Sequence, residues 1–83
     1  MKTISIKADQ TLWRNNVLPE GILTQWFVAD GDLTHAGHRM AEVRIEGALH
    51  DIVAPVNGRL KIEAGVNSVI EPGSLLATLA PTV

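Results

Sequence analysis

Apolar and polar side chains alternate with a period of two along three stretches of this chain. In residues 39–45, Ala41, Val43 and Ile45 alternate with Glu42 and Arg44. In residues 59–64, Leu60, Ile62 and Ala64 alternate with Arg59, Lys61 and Glu63, and near the start Ile4 and Ile6 alternate with Thr3, Ser5 and Lys7. Successive side chains of an extended strand point to opposite faces, so each stretch predicts a strand with one buried face. Residues 23–29 are apolar on both faces, with Trp26 and Val28 set opposite Leu23 and Phe27, and predict a central or bulged strand. Residues 75–80 read the same way. No window keeps a helical face for three turns.

Turn residues separate these stretches at short intervals: Pro19-Glu20-Gly21, Asp30-Gly31-Asp32, Ala36-Gly37, Glu46-Gly47, Pro55-Val56-Asn57-Gly58, Gly65 and Glu71-Pro72-Gly73. Short strands divided in this way predict a small all-β sandwich or barrel. Residues 8–19 break the rhythm and are expected to form an ordered surface loop, with Trp13 and Leu18 tucked against the body. A weak repeat is also visible. Gly37-His38-Arg39-Met40-Ala41-Glu42-Val43 follows the same order of glycine, large apolar residue, alanine and branched residue as Gly73-Ser74-Leu75-Leu76-Ala77-Thr78-Leu79. Gly21 and Gly31 precede the first copy roughly as Gly58 and Gly65 precede the second. Two such halves would cover each other's apolar faces about a pseudo-twofold axis.

Composition narrows the function classes. The 83 residues make one domain, 1–83, with a thin core. The absence of cysteine rules out disulfide staples, thiolate metal sites and thiol catalysis. Seven basic and nine acidic residues, scattered along the chain, give a net charge of −2 and leave no basic run to grip nucleic acid. Apolar runs are only a few residues long, far short of the roughly 20 that span a bilayer. The opening residues carry no secretion signal, so a cytoplasmic location is the expectation.

The order of these fragments resembles the lipoyl/biotinyl attachment family over about residues 21–79. Glu20-Gly21-Ile22 and Trp26-Phe27-Val28 resemble the family's first strands there, and Asp30-Gly31-Asp32-Leu33 with Gly37 resembles its glycine turn. Ala41-Glu42-Val43 is similar to the strand entering the attachment hairpin, and residues 52–60 to the strand leaving it. Val69, Pro72-Gly73 and Leu76-Ala77 complete the second half. The resemblance implies a flattened barrel-sandwich of two four-stranded antiparallel sheets. It also implies a non-enzymatic role beside 2-oxo acid dehydrogenase-type partner proteins.

One position departs from the family pattern. Lipoyl domains place Asp-Lys-Ala at the hairpin tip and biotinyl domains place Met-Lys-Met, whereas this chain reads Glu46-Gly47-Ala48. Attachment is an amide bond from an activated carboxyl group to a lysine amine, and glycine offers no nitrogen for it. Arg44 stays protonated and cannot substitute, and Lys2, Lys7 and Lys61 fall in strands or at the terminus. The expectation is therefore no lipoate or biotin at the usual hairpin and a docking or interaction role, with a functioning carrier as the alternative.

The remaining candidates are weaker. His35 and His38 sit in a glycine turn beside Asp32 without a third convergent ligand, so no metal is expected. His50 shares a strand face with Ala48, Ile52 and Ala54, near the hairpin. Asp30, Asp32, Glu42, Glu46 and Asp51 form an acidic set expected to flank the hairpin. In lipoyl domains acids near the tip help partner enzymes recognise the carrier, so Asp30, Asp32, Glu42, His50 and Asp51 are candidate partner contacts. The sequence names neither partner nor oligomeric state.

Overall fold

The computed structural model describes residues 2–14 and 20–82. Its strands, in chain order, are β1 (Ile4–Lys7), β2 (Gly21–Trp26), β3 (Leu33–Thr34), β4 (Arg39–Ile45), β5 (Ala48–Val53), β6 (Gly58–Ile62), β7 (Val69–Ile70) and β8 (Leu75–Pro81). They form two four-stranded sheets, ordered β1-β8-β6-β3 and β5-β4-β2-β7, with every pairing antiparallel. Leu23, Met40, Val43 and Ile45 from one sheet meet Leu60, Leu76 and Leu79 from the other in a fully buried layer. The result is the flattened barrel-sandwich of two four-stranded antiparallel sheets that the resemblance implies, within the small all-β class that the period-two patterning predicts.

The two sheets correspond in strand order: β1 takes the place of β5, β8 of β4, β6 of β2 and β3 of β7. Burial repeats too, since Met40, Ala41 and Val43 in β4 are as fully buried as Leu76, Ala77 and Leu79 in β8. Gly21 and Gly58 open equivalent strands, as the repeat implies. The expected match of Gly31 to Gly65 is corrected. Gly31 has φ +90° and its counterpart is Asn67, with φ 72°, whereas Gly65 is not left-handed. Asparagine tolerates that region through its short polar side chain, so a glycine count misses the equivalence.

Bulges explain where the simple alternation fails. In β2 the register against β4 shifts between Leu23 and Gln25. That extra residue resets the phase, so Leu23 and Trp26 both turn inward and Phe27 turns out, rather than Trp26 lying opposite Leu23. Trp26 Nε1 donates to the Ala64 carbonyl at 2.9 Å. The strand expected over residues 59–64 stops at Ile62, because the N–H groups of Glu63 and Ala64 both converge on the Leu76 carbonyl and end the ladder.

Residues 8–14 are ordered. Ala8 exchanges backbone bonds with the 73–74 turn, and a 3-10 turn at Gln10–Leu12 is capped by Asp9, which accepts from Thr11 N at 2.9 Å. That bond holds the Asp9 carboxyl below the usual aspartate range. Trp13 packs into the core at 7% exposure, while Leu18 lies outside the described residues. The Trp13 indole N–H is buried without a hydrogen-bond partner among those residues. The two tryptophans should therefore respond differently to replacement by phenylalanine. Trp26→Phe strands the Ala64 carbonyl and is expected to cost about 1 kcal/mol more than Trp13→Phe, which loses no bond. Denaturant unfolding of both variants checks this.

Candidate functional site

The β4–β5 hairpin lies at the end of its sheet where β2 begins, beside Gly21. Ile45 pairs with Ala48, leaving Glu46 and Gly47 as a two-residue loop, with φ of 53° and 79°. Two positive φ values in succession are the mark of a type I′ turn, whose twist matches that of the strands it joins. Glycine takes the second position without a steric penalty. Glu46 occupies the left-handed region at some cost, offset by its carboxylate, which accepts the Arg14 N–H at 2.9 Å and ties residues 8–14 to the hairpin. A Cβ added at Gly47 would meet nothing within 4 Å, so this position faces open space.

A shallow hollow at the base of the tip is lined by Glu20, Gly21, Ile22, Arg44, Glu46, Gly47 and Val69. Arg44, Ile22 and Val69 of this lining form one cross-strand row, Arg44 opposite Ile22 and Ile22 opposite Val69, which Leu49 continues beyond the hollow, opposite Arg44. Glu20 and Val69 were not singled out as contacts in the sequence. Their proximity arises from the β2–β7 pairing, which carries no local signal.

The acidic set does not gather at the hairpin. Strand β2 begins beside Ile45 and ends beside Ala41, so Asp30 and Asp32, which follow it, sit at the opposite end of the sheet from Gly47. There they are turn-builders: Asp30 accepts from Ile62 N at 2.7 Å and Asp32 from Ala29 N at 3.1 Å. Glu42 and Asp51 face each other in mid-sheet. The Thr24 hydroxyl donates towards Glu42 Oε1 at 2.8 Å, and Asp51 lies 3.8 Å from Arg39, an exposed ion pair of little energetic weight. Arg39 also sits 4.5 Å over the Phe27 ring. Of the five acids only Glu46 lies at the tip; the others sit in mid-sheet or at its far end.

His50 is half-buried on the inner face of β5, opposite Val43. The His35 and His38 rings lie edge to face at 5.6 Å, both exposed. Among the described residues no group of three or more histidine, cysteine or acidic side chains could hold a metal. The lysines are elsewhere. Lys7 and Lys61 lie within β1 and β6. Lys2 precedes β1 beside the end of β8, and Thr82 there donates to Asn57, whose side chain accepts from Ala36. That group adjoins the start of β4, so Lys2 and Gly47 occupy opposite ends of the molecule.

A family model described as "Biotin-requiring enzyme" matches residues 15–79, most of the chain. The chain belongs to the biotin/lipoyl attachment family. Comparison with curated proteins finds no match. Membership makes the domain carrier-type rather than catalytic in itself. The family's prosthetic groups are held through a lysine amide, and the tip of this biotin/lipoyl domain has no amine to form one. Its residues therefore do not fit covalent attachment at Gly47. No described helix is long and apolar enough to cross a membrane.

Proposed function

We propose that this biotin/lipoyl domain does not carry lipoate or biotin at its β4–β5 hairpin. It acts instead as a protein-interaction or docking module for components of the 2-oxo acid dehydrogenase-complex type, in the cytoplasm. The observation that carries this reading is Gly47, with φ 79° and open space around it, at the apex of a two-residue turn. A ligase that delivers an activated carboxyl group needs a projecting amine there. This apex instead keeps the turn geometry and lacks the nucleophile. Contacts to a partner then fall to Glu46 at the tip, to the row of Ile22, Arg44 and Leu49 beside it, and to His50 and Asp51 farther along β5.

The test is intact mass after co-expression with a lipoate or biotin ligase and its substrate. The expected result is the unmodified mass. A mass increase mapping to the hairpin peptide refutes the reading, and one mapping to Lys2, Lys7 or Lys61 supports the alternative, a functioning carrier that uses an amine elsewhere. Family membership is what keeps that alternative in view.

Gly47→Lys restores the amine. Its side chain has room, but the left-handed backbone is strained for lysine, so the variant is expected to lose about 1–2 kcal/mol of unfolding free energy while keeping the fold. Modification of that variant would show that only the acceptor is missing. If the folded variant is still ignored, the recognition surface itself has diverged.

A further inference from the structure

Four strands sit at sheet edges: β1, β3, β5 and β7. Free edges invite pairing, and proteins guard them with shortness, proline or lysine. Strands β3 and β7 have two residues each, and the four-residue β1 ends in Lys7 and is preceded by Lys2. Strand β5 is different. It runs six residues, Ala48-Leu49-His50-Asp51-Ile52-Val53, without lysine or proline, and exposes Leu49 at 54% and Val53 at 48%.

Register fixes which of its backbone groups are free. In a two-residue hairpin the flanking pair, Ile45 and Ala48, is hydrogen-bonded. Antiparallel pairs alternate, so Val43 and His50 are bonded, while Leu49 and Asp51 direct their N–H and C=O groups away from β4. The next strand agrees. Leu23 exchanges bonds with Ser68 and Asn67 on the β7 side, which leaves Ile22 to bond Arg44 and turns Arg44 away from β5. Leu49 and Asp51 thus present a bonding edge that no described residue pairs with.

We infer that this edge takes a second copy of the same chain, β5 against β5, about a twofold axis at His50. With His50 facing His50, Leu49 falls opposite Asp51 in both directions. Because both residues point outward, each such pair exchanges both of its N–H···O bonds. Val53 points outward too, since Ala54 bonds inward to Gly37 and His38. A centre at Asp51, however, would set two carboxylates face to face, and one at Ile52 would set Leu49 opposite Pro55, which has no N–H. The inner face then sets Ala48 against Ile52, apolar against apolar. On the outer face Asp51 of the second copy continues the row of Val69, Ile22, Arg44 and Leu49. The Arg44 guanidinium makes no ion pair among the described residues. It stands two strand spacings, about 10 Å by backbone, from that carboxylate, within the joint reach of the two side chains. The contact is isologous and closes as a dimer, joining two sandwiches into one eight-stranded sheet. This assembly is independent of whether the hairpin carries a prosthetic group.

Sedimentation equilibrium of the full chain is the test. The wild type is expected to pass from the 8.9 kDa monomer to twice that mass with rising concentration. Leu49→Pro removes the outward N–H without breaking a bond inside the fold, and is expected to raise the dissociation constant at least about tenfold. Val69→Lys, on the far edge of the same sheet, should leave it unchanged. In the wild type, solvent exchange of the Leu49 and Asp51 amides should slow as concentration rises, a readout that stands even if the proline variant does not fold. A chain that stays monomeric throughout, whether its edge remains free or is taken only by another polypeptide, overturns the inference. So does a dimer that folded Leu49→Pro leaves intact, or one that Val69→Lys weakens equally, which would mean stacking through the sheet face.

Discussion

Leu79→Ala is expected to lower the unfolding free energy by about 3–5 kcal/mol. Leu79 has no exposed surface. It lies in β8, between β1 and β6, where it faces Ile4 on one side and Leu60 on the other. Truncation removes the transfer free energy of the side chain and leaves a cavity that two paired neighbours prevent from collapsing. A chain of this size has roughly 4–12 kcal/mol in total, at about 0.05–0.15 kcal/mol per residue, so the variant should lose about a quarter of its stability or more. Urea unfolding should show a lower midpoint with an unchanged slope, since the surface exposed on unfolding hardly differs. A loss under about 1 kcal/mol would mean that the layer between the sheets is not packed as described. Val43 occupies the equivalent place in β4, also without exposed surface, and its smaller side chain should make the matching truncation milder.

That equivalence was legible in the chain. The spacing from Gly37 to Val43 and from Gly73 to Leu79 reports the two central strands of the fold, because a buried face must recur wherever the topology recurs. What the alternation could not report was phase. The bulge at Thr24 inserts one residue into β2 and carries Trp26 from the outer to the inner face. Nothing in Leu23-Thr24-Gln25-Trp26 distinguishes a bulged strand from a regular one, since the extra residue is set by pairing with β4 and not by local preference.

The candidate site divides along the same line. Glu46-Gly47 could be read as a turn from two residues, because a left-handed loop position selects glycine. The position of an acid relative to that turn depends on which strand pairs with which, so grouping Asp30 and Asp32 with the hairpin had no pairing to rest on. Their carboxylates instead close the far end, bonding Ile62 and Ala29. Conversely, Glu20 and Val69 reach the tip through the β2–β7 pairing of residues far apart in sequence. Long-range pairing carries no periodic signature, so these contacts were invisible without the fold.

Gly58→Ala is the second large expected effect, and it isolates a different cause. Gly58 is not in the left-handed region, so its requirement is space. Strand β6 passes between β8 and β3 at this residue, which pairs with Pro81 on one side and Thr34 on the other. A Cβ would stand 2.7 Å from the Ala80 carbonyl oxygen, 3.2 Å from its carbon and 3.3 Å from Pro81 Cα, all of them backbone. The opposite side cannot give way easily either, because the buried Thr34 hydroxyl bonds the Gly58 carbonyl at 3.2 Å. Relief therefore requires the β6 and β8 backbones to separate, and the cost is expected at the upper end of overpacking, about 3 kcal/mol. Gly21 holds the equivalent place in the other sheet, but there the nearest atom is a side-chain one, Ile45 Cγ1 at 2.8 Å, and the matching backbone oxygen, of Arg44, stands farther off at 3.0 Å. Gly21→Ala should accordingly cost less, about 1–2 kcal/mol. The measurement is the difference in unfolding free energy between the two variants. Equal losses, or a smaller loss at Gly58, would show that the close approach of β6 and β8 is not what reserves this position for glycine.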